Sequence, residues 1–470
     1  MPQVSPRSAT YALAALFALA LACDLLWMPI QVSDSLDEIL KAQQSPSAWT
    51  SFTDAMGQNV YLRALRIAQS KVLFDLSWGR HYWLVYRGFH AALLIAAIVL
   101  FVRALRVETM VDFGAAAFAL VVLIGLHTFR GMLQEAFPIN HHLEIVVACL
   151  ITINLARSRG GLGVDIAAAL TFTTAALTLE SGLLVWVVAV GAWVVGWRGI
   201  SGRGIALLTA CLLAYMVLRF GYLSKGLPVL TDRNSGYLLE RLEPDQIQQR
   251  FGAQAYWFHA YNVVVSATSV LFAEPQSGVF IAVRGWLQRG PMVQLLLPVI
   301  SSVLTTALMV WIALRSARLR AFDDTERYFF VFIAVLAVNA AISYAYTKDE
   351  IVSPAGAFYA LAAFGAVRQL LLVSGHWRPR ARMAGTLLLC ALAALWTVRS
   401  VGVHYKLRWQ ATRHQLDWVS LPYEWQRQDR WPSDPAAQQL LLQLRRTAIG
   451  MHIPNTRVGE PEWPGRLWPD

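Results

Sequence analysis

Apolar runs about as long as a bilayer is thick recur along this chain, and they limit the folds open to it. A membrane's hydrocarbon core is crossed by roughly 20 helical residues. Runs of that length, or somewhat shorter, occupy positions 11–30, 82–102, 113–129, 138–156, 164–179, 183–197, 205–221, 293–314, 328–346, 355–374 and 383–403. In lipid, backbone polar groups must be satisfied within the segment, so such runs predict helices. We therefore predict an all-α integral membrane protein with about 11 transmembrane helices.

The composition agrees with this prediction. Of the 470 residues, 56% are apolar and only 15% are charged, too few charges to cover the surface of a soluble chain of this length. The formal net charge of +11 comes largely from arginines in short gaps between apolar runs, the pattern that sets membrane topology. Nucleic-acid binding is therefore not expected. All four cysteines lie within apolar runs, so neither a disulfide framework nor a loop CxxC site is predicted.

The arginines alternate between successive gaps. They crowd the gaps at 103–106, 157–159, 198–203, 315–327 and 378–382, whereas the short gaps in between carry one positive residue or none. The positive-inside rule then places the N-terminus in the cytoplasm and the C-terminus outside, in what we expect to be a bacterial inner membrane. The first apolar run continues past Cys23, which predicts a retained span rather than a cleaved signal.

The predicted domains are a transmembrane domain over 1–403 and a Trp-rich extracytoplasmic tail over 404–470. Large outer loops are expected at 31–81 and 222–292. Segment 256–273 is apolar enough to cross, but a span there would turn the arginines at 315–327 outward, so we interpret it as re-entrant or interfacial. The tryptophans of the tail are typical of anchors at the membrane interface, and stacking on sugars is the alternative.

The first outer loop is predicted to carry an interfacial helix. Between 59 and 75, apolar residues recur at helical spacing, with Arg63 and Arg66 on the other side. This pattern suits a helix lying along the membrane surface, and it suits equally a helix packed on another loop.

Three predicted outer loops each place a carboxylate at the membrane boundary. Asp34 and Asp37 follow the first span, Glu135 precedes the fourth, and Glu180 lies in the turn between the fifth and sixth. Partial burial raises the pKa of a carboxyl towards neutrality, which suits a general base. Each acid also has a structural interpretation, because Asp and Glu often cap helices or occupy their first turn.

Adjacent histidines close to Glu135 raise the question of a metal. His141 and His142 would point about 100° apart on a helix, so they would not chelate one ion as an i, i+4 pair does. One of them, with Glu135 or Asp37, could bind Mg²⁺ or Mn²⁺ mainly through carboxylate oxygens. The alternative is an interfacial histidine pair without a metal.

This layout resembles the GT-C superfamily of membrane glycosyltransferases, which use polyprenyl-phosphate-linked sugars. The resemblance is carried by Asp34 just outside the first span, by the surface helices of the first outer loop, by Glu135, and by the turn Glu180-Ser181-Gly182. The chain departs from the family at Leu179, where a lysine is usual. It also spaces Asp34 three residues from the next aspartate, where the family usually has a tighter acidic pair.

The resemblance implies inverting transfer of a sugar to a glycan, lipid or protein acceptor. Asp34 would be the base, and Glu135 would assist it or hold a metal. Lys348 and a loop arginine such as Arg233 would hold the lipid phosphate. Contacts to substrate are also expected from Asp37 and Glu180.

Two other classes of function fit the same layout. An oligosaccharide polymerase or ligase would rely on the loop at 222–292, with Arg250 and His259 as its candidates. A transporter or non-catalytic scaffold is the alternative outside enzymes, although no internal repeat typical of transporters is found. The transferase hypothesis requires that Asp34, Glu135 and Glu180 converge at one cavity at the outer membrane boundary.

Overall fold

The described part of the chain is a bundle of helices. The computed structural model describes residues 5–32, 34–58, 62–78, 81–134, 140–223, 248–249, 252, 255–272, 287, 293–319, 322–345 and 347–453, with only the backbone at 34, 57, 58, 255 and 293–295. The helices before residue 140 are α1 (Pro6–Leu26), α2 (Asp34–Gln44), α3 (Ala48–Gln58), α4 (Ala64–Leu76), α5 (Tyr82–Leu105), α6 (Met110–Gly125) and α7 (His127–Gln134). The later helices are α8 (His141–Ala156), α9 (Leu162–Thr178), α10 (Leu184–Val194), α11 (Gly202–Met216), α12 (Ala255–Phe272), α13 (Val293–Leu319), α14 (Arg327–Ile342), α15 (Ser353–Ser374), α16 (Pro379–Arg427) and α17 (Pro435–Gly450). No strand occurs among these residues, so the predicted all-α class is confirmed.

Long apolar helices make this chain a membrane protein. Six helices are long and apolar enough to cross a bilayer, namely α1, α5, α11 with the π turn that continues it to Leu223, α13, α15 and α16. The pair α6 and α7, bent by 52°, would make a seventh span. Each of the other predicted runs coincides with a shorter apolar helix, namely α8, α9, α10 and α14. The structure therefore supports six or seven spans, and the count of about 11 stays a prediction.

One end of the bundle gathers the arginine-rich linkers, and we term it the arginine face. Arg157, at the end of α8, pairs with Asp324 in the linker between α13 and α14. Arg368, in the second half of α15, pairs with Asp112 in the first turn of α6, with 2.6 Å between Nε and Oδ1. Linkers that the charge pattern assigns to one side of the membrane thus lie at one face. Which face is cytoplasmic stays a prediction.

The opposite end, the loop face, carries α2, α3 and α4. Arg87, buried near the start of α5, donates to the carbonyl oxygens of Met28 and Pro29 at 2.8 and 2.7 Å. These bonds satisfy backbone groups that the end of α1 leaves without helical partners. Helix α4 packs on α2, α3, α5 and α9. The helix predicted within 59–75 is therefore present and packs on other elements.

Helix α16 continues without a break through the predicted domain boundary at 403. Its 49 residues correspond to roughly 74 Å, so its second half projects beyond the loop face. There Trp418 and Trp425 are buried in an apolar cluster with Leu36, Leu73 and residues of α17. Trp418 Nε1 donates to the Ile30 carbonyl oxygen at 2.6 Å. These two tryptophans are part of a packed core, which corrects their interpretation as interface anchors.

Within the ambiguous segment 256–273, residues 256–272 belong to α12, which packs between α13 and α14. In its first half, Asn262 Nδ2 donates to the Tyr344 carbonyl oxygen at 2.8 Å. Near its end, the Leu271 carbonyl oxygen accepts from Thr306 Oγ1, in the middle of α13, at 2.7 Å. Helix α12 therefore starts at the loop face and runs into the bundle. Its re-entrant or interfacial character stays a prediction.

Candidate functional site at the loop face

Three predicted site residues have no described side chain. Position 34 is the first residue of α2, one helical turn before Glu38 and on the same face of the helix. The Asp34 side chain is not described, and Glu135 and Arg233 lie outside the described residues. The predicted convergence of Asp34 and Glu135 with Glu180 therefore stays a prediction.

Glu38, which was not predicted as a site residue, is a buried carboxylate that joins three elements. Arg66 of α4 pairs with it, with 2.7 Å between Nε and Oε1, and Ser70 Oγ donates to Oε2 at 3.2 Å. His141, the first residue of α8, places Nε2 3.8 Å from the same Oε2. The signal for these contacts in the sequence was the polar side of the predicted helix, which contains Arg66.

The charge environment decides what Glu38 can do. Burial by itself raises the pKa of a carboxyl, but the charge and hydrogen bonds of Arg66 and the charge of His141 outweigh it. They lower the pKa of Glu38 to about 2. Such a carboxylate stays ionised and accepts a proton poorly at neutral pH. Glu38 is therefore suited to holding α2, α4 and α8 together, contrary to the expectation that boundary acids have raised pKa values.

His141 bridges two carboxylates. Its Nδ1 lies 3.2 Å from Glu144 Oε2, while its Nε2 faces Glu38. Gln69 Nε2 donates to the other Glu144 oxygen at 3.2 Å. A metal at His141 would have to displace one of these contacts. No group of three or more His, Cys, Asp or Glu in a metal-binding arrangement occurs among the described residues. Glu135, a predicted ligand, lies outside the described residues, so the Mg²⁺ or Mn²⁺ site stays a prediction. The described side chains around His141 do not support it.

His142 and Lys348 approach the same region. Lys348 Nζ lies 3.1 Å from Glu350 Oε1 and interacts electrostatically with His142, as do Arg63 and Arg66. His142 Nδ1 is buried and has no hydrogen-bond partner among the described residues. A buried polar atom in that condition is typical of a place filled by water or a ligand.

Glu180 is held by two arginines from different elements. Arg63, at the start of α4, donates from Nε to Oε1 at 3.0 Å and from Nη2 to Oε2 at 2.6 Å. Arg219, in the π turn after α11, places Nη2 3.8 Å from Oε1. A two-point arginine–carboxylate contact fixes orientation as well as distance. The predicted site residue Glu180 is thus brought into the loop face beside α4.

The local turn explains how Glu180 gets there. Leu179 is extended (φ −148°, ψ 156°), which ends α9 and starts the 3-10 turn Glu180–Leu183. A Cβ at Gly182 would collide with the carbonyl group of Ala175 in the last turn of α9. Only glycine allows the turn to fold back so closely onto the helix. Packing therefore accounts for the glycine of the Glu-Ser-Gly sequence.

Asp37 does not join this set. Its carboxylate lies 3.2 Å from Arg430 Nη2, in the segment between α16 and α17, and both side chains are about half exposed. Adjacent positions on a helix point about 100° apart. Asp37 therefore faces the tail while Glu38 faces α4.

A second polar group, in the half of the bundle next to the loop face, was not predicted. Arg399 of α16 is buried and donates to Ser301 Oγ at 2.8 Å and Ser302 Oγ at 3.0 Å, both in α13. His127 is also buried, interacts electrostatically with Arg399 and Arg130, and has no hydrogen-bond partner for either ring nitrogen among the described residues. The only signal in the sequence was an arginine inside an apolar run, which is costly in lipid.

The loop at 347–353 connects the two groups. Lys348 interacts electrostatically with His142, whereas the neighbouring Asp349 places Oδ1 3.7 Å from His127 Nε2. Gly131 of α7 lies directly against Asp349, where a Cβ would come within 2.9 Å of the aspartate Cβ. The bend between α6 and α7 thus brings His127 and the loop together.

Comparison of this chain with protein families, with curated proteins and with solved structures gives no match. The resemblance to the GT-C superfamily consequently rests on the layout and residues of the chain itself. The loop-face residues have to be interpreted from their own geometry.

Proposed function

We propose that this membrane protein is a glycosyltransferase that moves a sugar from a polyprenyl-phosphate donor to a glycan, lipid or protein acceptor. The observation that carries the proposal is the gathering of carboxylates and cations at the loop face from segments far apart in sequence. Glu38, Arg63, His141, Glu180 and Lys348 come from five separate segments of the chain. A charged site at the end of a membrane bundle suits a donor with a lipid tail and an anionic leaving group.

The reaction is a single displacement at the sugar carbon. The acceptor hydroxyl attacks that carbon as its proton passes to a carboxylate, and the bond to the phosphate oxygen breaks with its electron pair staying on the phosphate. The configuration at the carbon inverts. The protein has to supply a base and positive charge for the leaving phosphate.

Asp34 is the base in this proposal. Position 34 lies one turn before Glu38 on the same face of α2, which favours a location next to the loop-face cluster. Glu38 and Glu180 are less suitable, since arginines pair with both carboxylates and the pKa of Glu38 is about 2. Their contribution is to position α2, α4 and the turn at 180.

The leaving phosphate is assigned to the cations near the loop 347–353. Lys348 supplies one positive charge, and the buried side chains of Arg130 and Arg399 supply two more, with His127 and Asp349 beside them. Arg399 is buried and pairs with no carboxylate among the described residues, and a cation in that position is costly unless an anion is present for part of the working cycle. A lipid phosphate is such an anion.

The location we propose is the extracytoplasmic side of a bacterial inner membrane, with the N-terminus in the cytoplasm. The clustering of the arginine-rich linkers at one face supports this orientation through the positive-inside rule. The loop face is then outside, where glycan and lipid acceptors are exposed.

Glycan and glycolipid mass spectrometry of a strain lacking the chain, complemented with variants, tests the proposal. We expect the wild type to restore a missing hexose- or pentose-modified product and Asp34→Asn to fail while accumulating in the membrane to the same level. Asp54→Asn is the matched control, because Asp54 is exposed on α3 in the same loop. Full product from the properly folded Asp34→Asn protein would remove Asp34 as the base.

The alternative polymerase or ligase depends on Arg250 and His259. Arg250 lies outside the described residues. His259 Nδ1 lies 3.3 Å from the Tyr344 carbonyl oxygen, and its ring packs edge-on against the Tyr344 ring. These contacts join α12 to the end of α14 and favour a structural role. Loss of product with His259→Gln but not with Asp34→Asn would favour the polymerase or ligase over the transferase.

A further inference from the structure

A cavity of about 290 Å³ opens at the arginine face, between the start of α1 and the ends of α5 and α8. Its lining includes three arginines, Arg7, Arg103 and Arg106, and one carboxylate, Glu108. Tyr11, Thr10, Asn154 and Ser158 add polar groups. The lining is therefore strongly basic, while Thr10, Asn154 and Ser158 already donate to backbone carbonyl oxygens.

Two of these arginines have side chains without a partner in the described part of the chain. The guanidinium groups of Arg7 and Arg103 make no hydrogen bond or ion pair with another residue in the described part of the chain. Arg106 donates to the Arg157 carbonyl oxygen and adopts a left-handed backbone conformation (φ 52°), which is uncommon for residues other than glycine. Three guanidinium groups around one cavity repel one another, so the arrangement favours a bound anion.

An apolar surface leads from the membrane to this cavity. Ile95 and Val99 of α5 are 43% and 42% exposed, and Arg103 follows Val99 by one more helical turn on the same side of the helix. In a bilayer, Ile95 and Val99 contact acyl chains. A lipid lying along them would have its headgroup beside Arg103.

We propose that the cavity binds the headgroup of an anionic phospholipid, with its phosphodiester beside Arg7, Arg103 and Arg106 and one acyl chain along Ile95 and Val99. Basic pockets between transmembrane helices are suited to such headgroups, and each basic side chain near the surface contributes attraction to anionic lipid. The cavity lies at the opposite face of the bundle from the proposed transfer site, so lipid binding here is independent of that activity.

Native mass spectrometry of the full chain from nanodiscs tests this. One set of nanodiscs holds phosphatidylcholine alone, and another holds a mixture with phosphatidylglycerol. The wild type should retain phosphatidylglycerol in preference to phosphatidylcholine. Arg7→Gln/Arg103→Gln should weaken that retention on the order of tenfold, as expected from two lost charges. Neither side chain holds the fold together, so this variant should stay folded.

Arg380→Gln/Arg382→Gln is the matched control, because both arginines are exposed at the start of α16 on the same face and outside the cavity. It removes the same charge and should leave retention unchanged. Equal loss in both double variants, or no preference for phosphatidylglycerol, would overturn the proposal. Competition with inorganic phosphate distinguishes a lipid headgroup from a soluble anion as the ligand of the cavity. Displacement of phosphatidylglycerol by millimolar phosphate would assign the cavity to a soluble anion and would likewise overturn it.

Discussion

Arg63 Nη2 lies 2.6 Å from Glu180 Oε2, and this ion pair joins a surface helix to the turn between two helices of the bundle. The residues are 117 positions apart in sequence. Both side chains are largely buried, and the contact is made by two nitrogens of one guanidinium group. Helix α4 is thereby fixed over the end of α9. The same helix supplies Arg66 to Glu38. Helix α4 and its first flanking residue therefore connect α2 and the turn at 180 within the loop face.

We predict that Arg63→Gln and Glu180→Gln each destabilise the protein by about 1–3 kcal/mol, because each removes a two-point ion pair at a partly buried site. The double variant should recover part of the loss, which gives a coupling energy of roughly 0.5–3 kcal/mol. Thermal unfolding in detergent measures all four proteins of the cycle. Strictly additive losses would show that the pair makes no net contribution.

Glu38 should make stability depend on pH in the acidic range. Its pKa in the folded protein is about 2, below the ordinary carboxyl value of 4.5. The stabilisation is therefore fully present above about pH 4.5 and is lost as the pH falls towards 2. Glu38→Gln should be less stable than wild type near pH 7, and the difference should shrink below pH 4.5.

Thermal unfolding across that pH range is the measurement. Glu424→Gln is the control, because Glu424 is exposed on α16. A gap between wild type and Glu38→Gln that stayed constant down to pH 3 would contradict an ionised, arginine-paired carboxylate.

Gly182→Ala should destabilise the turn at 180 strongly. The added Cβ would collide with backbone atoms of Ala175, which cannot move without unwinding the end of α9. We expect a loss of about 2–4 kcal/mol, or loss of the folded protein from the membrane. Gly163→Ala is the matched control on α9, because a Cβ there meets nothing within 4 Å. Equal melting temperatures for Gly182→Ala and wild type would mean that the turn is more open than described.

Arg399 should be needed for binding of the lipid phosphate. Arg399→Gln removes the charge, whereas Arg399→Lys keeps it but loses the planar fork that donates to Ser301 and Ser302. We expect polyprenyl phosphate that copurifies with the protein to fall at least tenfold in Arg399→Gln and less in Arg399→Lys. Lipid mass spectrometry of the purified proteins measures this. Undiminished polyprenyl phosphate in a folded Arg399→Gln protein would restrict Arg399 to packing.

Local features of the sequence were sufficient for the helices and for which linkers share a face. Apolar runs long enough for lipid predict helices because backbone hydrogen bonds cannot be made to water there. Among the described residues, every such run lies mostly within one helix or, at 113–129, within the bent pair α6 and α7. The alternation of arginines along the chain predicts which helix ends meet, and Arg157 with Asp324 is one such meeting. The number of these helices that cross the membrane stays a prediction.

What only the tertiary structure decided is which side chain each charge meets. Asp37 and Glu38 are neighbours in sequence, yet one lies half exposed beside Arg430 and the other is buried against Arg66. Nothing local distinguishes them, because their partners come from segments that approach only after the bundle and the tail have packed. The pKa of a carboxyl depends on those partners and on burial. The partner and the pKa of each carboxylate at the loop face therefore follow from the tertiary structure and not from the local sequence.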